Sequence, residues 1–332
     1  MHMSKILTMT AMMSCLMAAP ITVVAAPVTV KLGIGQPEGS FMYNSHVKFK
    51  EVLEAESNGR YLVNIFHSEQ MGGDREMIEA TQLGNLTATS VSSSPVAAFN
   101  KDYFVLDMPF MFQDRETAYK TLDGKLGQTL LDSLDKFDLK AMVFYENGFR
   151  HVTNSRRPIR TPDDVKGLKL RTMQNAIHLA AWKALGANPT PMAFGEVFVA
   201  LQQKTIDGQE NPPMQIWDNK FYEVQPYMTK TNHIYTPLIL LINKDFYDGL
   251  PEDDRKLFIS AAEQMREYNR SEAVKLANET EANLTKTGMI EILELTPEQH
   301  AMFREKASAV RPMIEERLSP EVLKLFKEYM DQ

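Results

Sequence analysis

The sequence predicts an α/β protein of two lobes, and three observations carry that expectation. The chain has 332 residues, more than one hydrophobic core usually organises, even with an export signal over residues 1–25 set aside. Its opening, residues 28–92, reads strand, helix, strand, helix, strand, the pattern of a parallel sheet with helices on both faces. Its most apolar run after the signal, HIYTPLILLI at 233–242, lies far downstream and reads as a buried strand that crosses back.

The elements follow in order. Lys5 supplies a positive start, residues 6–19 are apolar apart from small hydroxyl residues, and Pro20 breaks the run before Val23-Val24-Ala25. That is a cleavable secretory signal, too short to span a bilayer comfortably, with the cut expected after Ala25. The alternatives are an uncleaved anchor or, through Cys15 in a poor lipobox, a lipoprotein. Val28, Val30, Leu32 and Ile34 then alternate with polar or small residues, a period-two strand. An amphipathic helix carrying Met42, Phe49, Val52 and Leu53 follows and stops at Asn58-Gly59. Residues 61–66 read as a strand, 74–83 as a helix and 87–92 as a third strand.

Residues 104–112 are apolar around Pro109, a buried turn region, and 139–145 form a strand that Glu146-Asn147-Gly148 leaves into Arg150. There the chain enters a second lobe. Thr161-Pro162 starts a helix with proline at its first position. Residues 167–171 are a short strand and 176–185 a helix. Phe194, Val197, Phe198 and Leu201 share a helical face. Residues 251–287 form one long helix, and the C-terminal third is helical. Lobe I is expected over 26–149 and 237–276, and lobe II over 150–236 and 277–332. Two α/β lobes joined by crossing strands make a periplasmic binding-protein architecture, with the ligand between the lobes.

Composition narrows the function. Without the signal the formal charge is −8, from 35 basic and 43 acidic residues, and no basic tract clusters, which argues against nucleic acid. Cys15 is the sole cysteine, so the secreted chain has neither a disulfide nor a thiol nucleophile. There is no GxSxG, no HExxH and no metal-ligand spacing among seven histidines, which weighs against the rival class, a secreted enzyme acting on acidic sugars. No cofactor or metal is expected.

Arg171 ends the run Gly167-Leu168-Lys169-Leu170-Arg171, and arginine's planar fork pairs bidentately with a carboxylate. By itself it reads either as a ligand group or as a surface arginine paired with Asp163 or Asp164. Together with Asn147-Gly148-Phe149-Arg150, Pro191-Met192-Ala193-Phe194-Gly195-Glu196 and Asp207-Gly208-Gln209-Glu210-Asn211-Pro212, it carries a resemblance. The chain resembles the substrate-binding receptors of tripartite ATP-independent periplasmic (TRAP) transporters, a family that takes up sialic acid, C4-dicarboxylates and sugar acids.

The resemblance implies a two-lobe fold with a long lobe-bridging helix, for which 251–287 is the candidate. It implies that Arg171 clamps the ligand carboxylate, with Arg150 and Asn211 in support, Pro212 fixing the turn that presents Asn211. Phe194 would pack on the ligand or begin the core of the next helix. Gln174 would be a selectivity contact, and His233 corresponds to a family histidine near the cleft, with a structural role as its alternative. Asp74 and Ser92 fall where sialic acid receptors supply carboxylates. Ser92 departs from the Glu found there, which turns the expectation from sialic acid to a six-carbon uronate, aldonate or keto-gulonate, with a C4-dicarboxylate or other short acid second. The receptor would be a periplasmic monomer that hands its ligand to membrane permease subunits. A sensor that serves a membrane kinase would use the same fold.

Overall fold

The computed structural model describes residues 26–331. The signal expected over 1–25 lies outside the described residues. Nine strands form one mixed sheet: β1 Val28–Ile34, β2 Tyr61–Phe66, β3 Ala88–Ser92, β4 Leu139–Asn154, β5 Lys169–Thr172, β6 Asn188–Pro191, β7 Gly208–Asn211, β8 Tyr227–Asn243 and β9 Glu291–Glu294. Their order is β2-β1-β3-β8-β4-β7-β5-β6, with β9 against β8. The expected βαβαβ opening is present: β1 runs parallel to β2 from Val28↔Tyr61 and to β3 from Leu32↔Ala88. A second parallel unit, β5 with β6 and β7, occupies the other end.

The two ends are joined by β4 and β8, antiparallel partners of 16 and 17 residues. At about 3.3 Å per residue such strands run about 50 Å, enough to serve both halves. This corrects the expected exit at Glu146-Asn147-Gly148. The strand continues, and the turn-like sequence is a bulge between Glu146 and Gly148, with Gly148 at φ 123°. The apolar run in β8 is buried on both faces: Leu238, Leu240 and Ile242 join the core under Phe49 and Phe258, whereas Ile239 and Leu241 join the one around Tyr103 and Phe144. Burial on both faces is why the run lacks alternation.

The long helix spans Glu252–Lys286, 35 residues or about 50 Å, with Glu252, Asp253 and Asp254 in its first turn complementing the helix dipole. Phe258, Ala262 and Met265 pack into the first half, and Leu284 into the second-half core with Met228 and Ile290. Two further expectations change. The C-terminal third is not all helical, because β9 adds to β8 in parallel at Tyr227↔Glu291. The chain end, expected in lobe II, packs with the first half: Ile314, Val322 and Phe326 join Tyr103, Leu130 and Leu134, burying the apolar stripe of helix Pro320–Met330. Among the described residues no helix is long and apolar enough to cross a membrane.

Candidate ligand-binding site

A cavity opens between the two parallel units, at the carboxyl ends of their strands. Gly35 and Gln36 reach it just past β1, Ser92 ends β3, Asn147 and Arg150 lie on β4, and Asn211 ends β7. Arg171 is on β5, with Gln174 just beyond it and Phe194 beyond β6.

Arg171 is 3% exposed. Its Nε and Nη2 donate to the Met192 carbonyl at 3.0 and 2.7 Å, and its guanidinium lies 5.9 Å from the Phe194 ring centre. No ion pair to Arg171 is formed among the described residues, so neither Asp163 nor Asp164 takes it. Burial, then the nearby Arg150 charge, pull its pKa down to about 10, which leaves it charged at neutral pH. Glu210, Asp74 and Glu69 act on it only through space, and a buried cation without an ion-pair partner, facing a cavity, is poised for one.

Arg150, 1% exposed, is differently engaged. Its Nε and Nη2 donate to the Glu210 carboxylate at 2.5 and 2.9 Å, and Nη2 also to the Glu210 carbonyl at 2.5 Å. Burial pushes the Glu210 carboxyl up, but Arg150 and a hydrogen bond from His233 outweigh it and hold the group well below the usual carboxylate range. The pair is therefore internally neutral, and Arg150 brings an edge rather than a net charge to the cavity.

His233 does not line the cavity. It stands behind Glu210, Nε2 3.1 Å from Oε2 and Nδ1 2.8 Å from Thr231 Oγ1, with its ring edge-on to Trp182. Burial lowers its pKa, so the neutral ring donates to Glu210 and accepts from Thr231. The expectation of a cleft histidine gives way to a residue that orients Glu210.

Asn211 lines the cavity from the end of a strand, not from a turn: β7 is hydrogen-bonded to β4, and Pro212 caps helix Pro213–Asp218. Its Nδ2 donates to Gln209 Oε1 at 2.5 Å, which fixes the amide plane. Phe194 is half-buried and serves both expected roles, edge-on to Phe221 in the core and exposed to the cavity. Gln174 is exposed at the rim.

On the opposite wall, Asp74 accepts the Ser92 N–H at 3.2 Å, and the buried Ser92 hydroxyl points to Met173 Sδ at 3.2 Å. Burial, then the Glu69 charge, push the Asp74 carboxyl up to about 7. Seven of the eight expected residues thus converge. Three polar lining residues were missed: Asn147, Gln215, whose Nε2 donates to Asn147 Oδ1 at 3.2 Å, and Gln36, whose buried Oε1 has no partner. Gln36 carried one legible signal, its place just past the first strand of an α/β unit.

The model of the bacterial extracellular solute-binding proteins, family 7, matches residues 32–317. The chain is a TRAP solute-binding protein. It is 40% identical over 223 residues to the 2,3-diketo-L-gulonate-binding periplasmic protein of Escherichia coli K12, covering 67% of this chain and 68% of that one. The sugar acid binding protein of Advenella mimigardefordensis, solved with galactonate, superposes with a TM-score of 0.87 at 36% identity, covering 91% of this chain and 97% of that one. The periplasmic solute-binding protein of Sulfurospirillum deleyianum, solved with succinate, gives 0.86 at 31% identity, covering 91% and 99%. In this receptor the unpaired Arg171 and the neutral Arg150–Glu210 pair face a wall of amides, a serine and one carboxyl of raised pKa.

Proposed function

We propose that this receptor binds a six-carbon sugar acid (a uronate, aldonate or keto-gulonate) between its lobes and delivers it to the membrane permease of a TRAP transporter. Arg171 clamps the single carboxylate. Arg150 and Asn211 support it, and Asp74, Ser92 and Gln36 meet hydroxyls along the chain of the ligand. The carrying observation is a charge count: Arg171 is the lining cation with no ion-pair partner among the described residues, since Arg150 is taken by Glu210. One free cation suits a monoanion. A dicarboxylate would set its second charge near Asp74 with no cation left to meet it. The diketogulonate and galactonate proteins named above support the same reading, and the succinate protein makes a C4-dicarboxylate the competitor.

Export by the signal over residues 1–25 and action as a periplasmic monomer complete the proposal. A thermal-shift screen of refolded protein tests it with galactonate, galacturonate, 2,3-diketo-L-gulonate, sialic acid, succinate and neutral galactitol. A ligand at ~100 times its Kd stabilises the fold by about 2.7 kcal/mol. The expected result is a shift with one sugar acid and none with galactitol. A shift with succinate alone would replace the sugar acid by a dicarboxylate.

A further inference from the structure

Glu69 belongs to no part of the cavity wall, yet it connects the two sides of the cleft. It lies in the loop after β2, and both Ser68 and Glu69 have left-handed backbones, φ 53° and 56°. Their N–H groups donate to the carbonyls of Gln36 and Ile34 at 3.0 and 3.2 Å, which ties the loop to the end of β1. The carboxylate reaches across to the other parallel unit. Its Oε2 accepts the N–H of Gly195 at 2.8 Å, in the short 3₁₀ turn Phe194–Glu196 that carries Phe194 beside Arg171.

The absence of a side chain at Gly195 has its explanation in this contact. Gly195 does not adopt a left-handed conformation, so its backbone does not require glycine. A Cβ there would stand 2.6 Å from Glu69 Oε2, inside the space the carboxylate fills. The other oxygen, Oε1, is buried without a partner. Burial raises the Glu69 pKa against the N–H groups of Gly195 and Phe194 and the Arg171 charge, with Asp74 and Glu76 the neighbouring acids. A charge-assisted bond on one oxygen is thus set against desolvation of the other, two effects of the same order. Opening the cleft rehydrates both oxygens as it breaks the bond. A contact so balanced can form and break.

We propose that Glu69 is a positioning residue, a latch whose bond to the Gly195 N–H biases the cleft towards closure and holds Phe194 and Arg171 against the ligand. It acts on the opening equilibrium rather than on the ligand, and it stands on the geometry even if the ligand is not a sugar acid. The test uses nitroxide labels at Leu83→Cys and Val199→Cys, exposed positions on the two sides, in the full chain carrying Cys15→Ser. Interlobe distances are measured by pulsed dipolar spectroscopy, without ligand and in 10 mM galactonate. Glu69→Ala and Gly195→Ala should each lower the ratio of short to long distances at least fivefold in one or both conditions. Glu69→Gln, which keeps an acceptor oxygen, should restore part of it, and all three should melt at the wild-type temperature. Identical distributions in wild type, Glu69→Ala and Gly195→Ala under both conditions would overturn the latch. So would a lowered melting temperature with unchanged distances, the mark of a merely structural residue. A wild-type distribution indifferent to galactonate counts against the sugar-acid reading, while the ligand-free comparison still decides the latch.

Discussion

Replacing Arg171 with alanine separates binding from stability, and the structure gives the size of both effects. In the folded protein burial is the main cause that takes the guanidinium from 12.5 to about 10. A base whose pKa falls on folding is destabilising while charged, here by roughly 3 kcal/mol. Against this stand two hydrogen bonds to the Met192 carbonyl, worth about 1–3 kcal/mol together. The two largely offset each other, so Arg171→Ala should unfold within about 2 kcal/mol of wild type in the absence of ligand. Binding behaves otherwise. Removing one partner of a buried ion pair costs about 3–5 kcal/mol, roughly a hundredfold to several thousandfold in Kd. Calorimetric titration of galactonate gives the affinity, and urea unfolding of the same sample gives the stability. Affinity within threefold of wild type would refute the clamp. A stability loss above about 3 kcal/mol would mean that Arg171 holds the fold rather than awaits a ligand.

Two other perturbations probe the charges around it. Glu210→Gln removes the partner of Arg150 and leaves two buried guanidiniums facing each other's charge, so urea unfolding should register a loss of about 3–5 kcal/mol. Asp74→Asn acts with pH. The raised carboxyl pKa means that its ionised form is disfavoured on folding, a penalty absent below about pH 4 and complete above about pH 7. With Glu69, Glu76 and Arg171 unchanged around it, the variant should match wild type near pH 4 in melting temperature, exceed it increasingly towards pH 7 and keep that lead above it. A gap independent of pH would assign the shift elsewhere.

Local pattern and chemistry made much of this receptor legible. The alternation of Val28 to Ile34, the turn signals that end the first helices and the acidic start of the long helix all act between near neighbours, and each element formed where expected. Arg171 and Asn211 were legible through the resemblance their motifs carry, and the fold sets both on short strands where an α/β fold opens its cleft. Tertiary structure alone decided which charges remain free. Arg150 and Arg171 are the same residue type at the same cavity, yet Glu210, 60 residues from Arg150, neutralises one and leaves the other. Pairing over that separation depends on β4 lying beside β7. The same holds for Glu146-Asn147-Gly148, which local propensity reads as a turn and the long β8 holds as a bulged strand. It holds also for His233, turned behind Glu210, and for Glu69 and Gly195, 126 residues apart. A sequence fixes propensities over a few residues, whereas desolvation and charge pairing depend on which side chains the fold brings within a few ångströms.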